Sequence, residues 1–257
     1  MKIAASDYDG TLFRQRTISD ETIQGVQAWR AAGNKFGPVS GRDYGMLIPQ
    51  LNHYGVEYDF TICNNGGIIR DKSGKVIYQA NIESQVLNDM SKEPLVRNSF
   101  HFAFSAKDVT YLCHESEGSW IKREAKEWNF PIVKIDESEI INLTGIHQFS
   151  LGFKKAEEAA ECAAKLNENF GKKICAYPNA CSVDVTPVGV SKKQGLEHLI
   201  KAEYQNDVKL YVIGDEVNDL PMITAFGGYT VNTARDVIKS QAQKVFSDVG
   251  EMLNFFL

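Results

Sequence analysis

The sequence predicts an α/β protein. A doubly wound, mostly parallel sheet is built from the two outer parts of the chain, and a separate α+β module interrupts it. Three observations carry this expectation. Short apolar segments alternate with helical stretches near both ends, as in a parallel sheet with crossover helices. The run Val208–Ile213 is almost unbroken in apolar character, as a strand buried on both faces requires. The middle third has several strand-like segments and few helices. Residues 1–81 and 187–257 are therefore expected to form one discontinuous domain, with 82–186 inserted between them.

The elements follow in order. Lys2–Ser6 is a short apolar strand running into Asp7-Tyr8-Asp9-Gly10-Thr11. A helix follows. Ser19 caps it, Asp20 and Glu21 suit its positive end, and Gly33 suits its stop. A second strand ends at Val39, and Gly37 and Pro38 within it predict a short or bulged strand. Phe60–Cys63 is a third strand, closed by the turn-like Asn64-Asn65-Gly66-Gly67. In the middle third, Phe100–Phe104 alternates as a half-exposed strand does, with a phenylalanine stripe suited to a core. Val109–Cys113, Ile146–Phe153 and Ser182–Thr186 are further strands, and Ala156–Asn169 is a helix. The module is expected to be covered on one side. Ser191–Lys201 is a helix, and Tyr229–Val231 a last strand.

Composition narrows the class. The 257 residues are 43% hydrophobic and 24% charged, the balance of a folded soluble chain. A formal charge of -5 lacks the basic excess of nucleic-acid binders, so nucleic acid is not an expected partner. The five cysteines are odd in number and contain no C-x-x-C pair, which predicts reduced thiols and no zinc site. No apolar run approaches the length of a membrane span. The apolar run before Asp7 is only Ile3, Ala4 and Ala5, too short for a signal-peptide core. The expected location is the cytoplasm, with no membrane and no obligate protein partner.

Four clusters sit at strand ends or a helix start, where loops of a parallel sheet converge on ligands. They are Asp7–Thr11, Ser40-Gly41-Arg42, Lys192, and Gly214-Asp215 through Asn218-Asp219. Asp7, Asp9 and Asp215 would bring three carboxylates to one sheet edge, where they repel one another unless a cation is present. Hard oxygen ligands suit magnesium. Lys192, Ser40 and the Gly41 N–H offer charge and donors to an anion. A cation and a lysine on either side of a phosphate make a phosphoryl-transfer arrangement, and a carboxylate can serve as nucleophile. Gly10 bends the chain, so Asp7 and Asp9 can play different parts. The five histidines show no metal-ligand spacing.

At these residues the chain resembles the haloacid dehalogenase-like superfamily, and more narrowly its Cof-type sugar-phosphatase branch. Asp7-Tyr8-Asp9-Gly10-Thr11 matches the family's D-x-D-G-T. Ser40-Gly41-Arg42 matches its second motif, Lys192 after Gly189-Val190-Ser191 its third, and Gly214-Asp215-Glu216-Val217-Asn218-Asp219 its fourth. Asn65-Gly66-Gly67 resembles an N-G-A element. The motifs span nearly the whole chain in order. Pro38 departs from the apolar residue usual in the second strand.

The resemblance implies a Rossmann-like core with a type-2 cap over 82–186. It implies a magnesium ion on Asp7, the Asp9 backbone carbonyl and Asp215, with Asp219 ordering the metal shell. It implies that Asp7 attacks phosphorus while Asp9 protonates the leaving alcohol and then activates water. Ser40, Gly41, Lys192 and Asn218 would hold phosphate oxygens, joined by Arg42 unless it forms a structural ion pair. The substrate would be a small phosphorylated metabolite, with sugar phosphates first and pyridoxal phosphate or flavin mononucleotide as alternatives. Two other functions share the pattern: a phosphohexomutase, which would need a second phosphate site in the module whose arginines are Arg97 and Arg123, and a non-catalytic binding or regulatory protein.

Overall fold

In a computed structural model of the chain, residues 1–204 and 208–257 are described. The elements run β1 (Lys2–Asp7), α1 (Asp20–Ala31), β2 (Lys35–Val39), α2 (Tyr44–His53), β3 (Phe60–Cys63), β4 (Ile68–Asp71), β5 (Val76–Gln79), α3 (Ser84–Met90), α4 (Pro94–Arg97), β6 (Phe102–Ser105) and β7 (Thr110–Cys113). They continue with α5 (Ile121–Trp128), β8 (Ile132–Lys134), β9 (Gln148–Gly152), α6 (Ala156–Phe170), β10 (Ile174–Asn179), β11 (Ser182–Pro187), α7 (Lys192–Leu199), β12 (Lys209–Ile213), α8 (Leu220–Phe226), β13 (Thr230–Val231), α9 (Asp236–Lys239), β14 (Val245–Phe246) and α10 (Val249–Phe256). Two compact units result. One holds Met1–Ser40, Gln50–Tyr78 and Ser191–Leu257, and the other holds Gly41–Pro49 and Gln79–Val190.

The first unit is organised by a sheet in the order β12-β1-β2-β3-β4-β5. Its first four strands are parallel, and β4 turns back antiparallel along β3. Register fixes what gathers at the sheet edge. Ser6 pairs with Ile213 on one side and Pro38 on the other, and Asp7 pairs with Val39. The residues that follow these strand ends, Asp7, Ser40 and Asp215, therefore emerge side by side. The core beneath is apolar, with Ile3, Ala5, Val39, Phe60, Ile62 and Val212 from the strands against Leu196, Leu199 and Met222 from the helices. The Ser19 side chain caps α1 by accepting the Thr22 N–H, as its sequence suggests.

Of the two forms expected for β2, it takes the short one, five residues without a bulge. The strand pairs without interruption along β1 from Lys35 to Val39. Gly37 lies here because the Phe60 ring and carbonyl occupy the space a side chain would take. Pro38 donates no hydrogen bond, and the ladder to β3 is accordingly brief, with Val39 opposite Ile62.

The second unit has its own sheet, in the order β10-β11-β9-β6-β7-β8. Its main core packs Phe102, Phe104, Phe149 and Leu151 against Ala159, Cys162, Ala163 and Leu166 of α6. Two expectations are corrected here. Every residue of β6 is buried, so the strand is not half-exposed. The sheet is not covered on one side only. Ala103 and Leu112, which alternate onto the opposite face, pack with Met46, Ile121 and Phe130. The strongly amphipathic α5 supplies that second cover. Gly41–Pro49 groups with this unit through Met46 and through Asp43, whose carboxylate accepts from the Thr110 hydroxyl at 2.6 Å.

Candidate active site

The end of β1 delivers Asp7 into a buried position, and Gly10 then turns the chain with φ 88°. A side chain at Gly10 would collide with the Asp215 carboxylate, so the turn and that carboxylate need each other. Asp215 follows β12 after one residue, Gly214. Asp219 lies in the turn that starts α8 and is fully buried. One carboxylate oxygen from each of Asp7, Asp215 and Asp219 falls within 4.8 Å of the others.

Asp219, not Asp9, is thus the third carboxylate of the group. Gly10 carries Asp9 outward into a bridge with Phe13, and Asp9 is exposed.

Lys192 opens α7, with Ser191 as its N-cap. Its ammonium lies 2.5 Å from Asp7 Oδ1 and 2.6 Å from Asp219 Oδ1 at 2% side-chain exposure. Asp219 Oδ2 accepts the backbone N–H groups of Asp215 and Glu216, each at 3.0 Å. Asp219 therefore holds the loop that aims Asp215. Thr11, which sequence reasoning left without a role, donates its hydroxyl to Asp215 Oδ1 at 2.6 Å. Its signal was present, as the last residue of D-x-D-G-T.

The electrostatics are unbalanced. Three carboxylates face one ammonium, leaving two negative charges in a buried place. Burial pushes the Asp7 pKa well above the ordinary carboxylate range. Asp219 and Asp215 add to that rise, and Lys192 opposes it. The Asp215 pKa is also raised, first by burial, with the Thr11 hydroxyl opposing. For Lys192, burial acts to lower the pKa, but Asp219 and Asp7 outweigh it and keep the ammonium charged. Among the described residues, Asp7 Oδ2 is buried without a hydrogen bond. Clustered hard oxygens, a net charge of opposite sign and one unsatisfied carboxylate oxygen fit a small divalent cation.

Ser40 is buried at the end of β2, and its N–H donates to the Ile62 carbonyl at 2.8 Å. Asn218, half-buried, donates its amide to Asn65 Oδ1 at 3.0 Å. Gly41 and Arg42 belong to the second unit. There the Gly41 carbonyl accepts from Gln148, and the Arg42 guanidinium pairs with Glu124 at 3.4 Å. Asp7, Lys192, Asp215 and Asp219 are thus joined in one cluster, with Asn218 in the adjoining turn, and Arg42 is engaged elsewhere.

Known proteins resemble the chain over most of its length. The haloacid dehalogenase-like hydrolase family matches residues 4–251. The Escherichia coli (strain K12) 5-amino-6-(5-phospho-D-ribitylamino)uracil phosphatase YbjI is 26% identical over 231 residues, 88% of this chain and 83% of its own length. The pyridoxal phosphate phosphatase YbhA of the same organism is 21% identical over 258 residues, 96% of this chain and 93% of its own. In fold, the subclass IIB sugar phosphatase BT4131 is similar at a TM-score of 0.78 and 21% identity, over 100% of this chain and 99% of that one. The chain belongs to the haloacid dehalogenase-like hydrolases, and it is an enzyme of that family's phosphatase kind.

Proposed function

We propose that the chain hydrolyses small phosphomonoesters, sugar phosphates foremost, through a phosphoryl group carried on Asp7, with magnesium as cofactor. The observation that carries this is the buried cluster in which Lys192 bridges Asp7 and Asp219 beside Asp215. Asp7 and Asp215 would hold the ion, with the Asp9 carbonyl completing the protein's share. When bound, the ion neutralises the carboxylates and the phosphate charge, so that an anionic nucleophile can approach an anionic ester.

The chain's own groups do the rest. Asp7 attacks phosphorus and the ester oxygen leaves. Asp9, exposed just before the bend at Gly10, gives that oxygen a proton. It then takes one from the water that cleaves the acyl phosphate, an acid–base contribution of about 10²–10⁴-fold. Lys192 keeps its charge and draws phosphate oxygens, with Ser40, the Gly41 N–H and Asn218 as further donors. Asp219 keeps Lys192 and the 215–216 backbone in place. Arg42 comes last in this set, since its guanidinium already has a partner in Glu124.

Residues 82–186 would select the leaving group. The relatives named for a ribitylaminouracil phosphate and for pyridoxal phosphate support small phosphomonoesters as the class. The mutase alternative lacks support, since Arg97, one of two arginines in 82–186, is paired with Glu137 at 2.7 Å. Among the described residues no helix is long and apolar enough to cross a membrane, and none of the five cysteines forms a disulfide, which suits the cytoplasm.

The test is phosphate release from a panel of phosphomonoesters, with magnesium and with chelator. Release that needs magnesium is expected, with sugar phosphates leading. No release from any member by the folded protein would contradict the proposal.

A further inference from the structure

The turn after β3 has no part in the steps above, yet it touches two of the groups that do, Ser40 and Asn218, and the cap of the helix that carries a third, Lys192. The Asn65 N–H donates to the Ser40 carbonyl at 2.9 Å, while the Ser40 N–H donates back to Ile62 of β3. Ser40 is thereby held on both sides by β3 and its turn. The Asn65 side-chain carbonyl accepts the Asn218 amide N–H at 3.0 Å, across 153 positions of sequence. Gly66, at φ 106°, backs onto the Ser191 carbonyl, the cap of the helix that Lys192 begins, and any side chain there would collide with it. Asn64 and Asn65 both adopt left-handed backbone, φ 51° and 53°, which asparagine tolerates better than most residues. Asn65 is 3% exposed, so its amide is not a solvated turn group.

We propose that Asn65 is a positioning residue that fixes which end of the Asn218 amide meets the substrate phosphate. A primary amide presents either two N–H donors or a carbonyl oxygen, and only the first attracts a phosphate. One Asn218 N–H is committed to Asn65 Oδ1. With the Asn65 carboxamide oriented as it is, the Asn218 amide cannot turn over without losing that bond, and the second N–H is left for a phosphate oxygen. Through its backbone N–H the same residue ties Ser40 into the arrangement. This inference rests on the phosphatase reading, with Asn218 as a phosphate contact.

The test compares wild type, Asn65→Gly, Asn218→Ala and the double variant. The assays are p-nitrophenyl phosphate turnover and competitive inhibition by inorganic phosphate. Glycine keeps the left-handed backbone and the N–H to Ser40 and removes only the carboxamide. Asn65→Gly is expected to raise KM and the phosphate inhibition constant about ten-fold, as loss of a charge-assisted hydrogen bond does. The value of kcat should move by less than about two-fold, the pattern of lost uniform binding. Asn218→Ala, which leaves the turn intact, should raise KM at least as much, and adding Asn65→Gly to it should change nothing further. An unchanged KM in either single variant of an active enzyme overturns the inference. So does a loss from Asn65→Gly that repeats in full on the Asn218→Ala background. A wild type that releases no phosphate instead removes the phosphatase reading, and this inference with it.

Discussion

The two units both bury carboxylates, and they treat them in opposite ways. In the second unit, Asp43 accepts the Met46 N–H at 2.7 Å and the Thr110 hydroxyl at 2.6 Å. Asp184 accepts from Ser150 at 3.0 Å and from Gln148 at 3.2 Å. These are closed networks in which neutral donors meet the carboxylates. In the first unit, three carboxylates crowd one lysine, and a buried oxygen of Asp7 lacks a hydrogen bond among the described residues. Burying an uncompensated charge is costly, and folding alone gives no reason to bear that cost. A satisfied buried carboxylate holds a structure together. An unsatisfied cluster is held by the structure for something else.

The largest effect that would break this contrast is on turnover. Asp7→Asn should lower phosphate release by at least about a thousand-fold, the scale on which loss of a nucleophile shows. The variant should melt no lower than wild type in metal-free buffer, because it removes one of the repelling charges. A variant that loses activity by unfolding would place Asp7 with the structural carboxylates instead.

Magnesium gives the next effect. At a hundred-fold excess over its dissociation constant, a ligand bound only to the folded state stabilises it by about 2.7 kcal/mol. A magnesium-dependent rise in Tm is expected in wild type and should be absent in Asp215→Asn. Persistence of the rise in that variant would locate the ion elsewhere.

Asp43→Ala sharpens the other side. It leaves the Thr110 hydroxyl and Met46 N–H without their acceptor and should cost about 2–3 kcal/mol in urea unfolding. A cost near zero would mean that the second unit's network does not hold Gly41–Pro49. Magnesium should not alter this cost.

The smallest effect concerns Asp59, which lies in the first unit but is closed like those of the second. Burial pushes its pKa up, but the Arg30 and Lys35 hydrogen bonds and the Phe36 N–H outweigh it and hold the carboxyl below its ordinary value of 3.8. A depressed carboxylate stabilises the fold above its unfolded pKa and loses that contribution as pH falls through the folded value. Asp59→Asn should therefore be less stable than wild type at neutral pH, by up to about 1 kcal/mol for a partly exposed ion pair. The difference should shrink as pH falls below about 3.8. A gap independent of pH would make Asp59 a packing residue.

Much of this contrast was legible in the sequence, and the reason is local. Asp7, Lys192 and Asp215 each sit directly at a strand end or helix start, so position along the chain nearly determines position in space. Ser19 announces α1 in the same way. What escaped depends on partners far apart. The bond between Asn65 and Asn218 has no trace in either segment alone. Asp219 was implied at the metal site by the family motif alone, and periodicity carries no sign that it, and not the Asp9 carboxylate, joins Asp7 and Asp215. β8 spans three residues, one half-buried and two exposed, too few to show alternation, and β4 and β5 lie in a return that turn residues only hinted at. β6 looked half-exposed because Ala103 reads as a weak residue, yet α5 and Met46 cover it.

The most direct measurement is acid quenching of the enzyme during turnover of a phosphate-labelled ester, followed by mapping of the label. Label on the peptide that contains Asp7, released by hydroxylamine and missing from Asp7→Asn, is the expected result. Label on another residue, or an Asp7→Asn variant that still releases phosphate at the wild-type rate, would contradict Asp7 as the group that carries the phosphoryl.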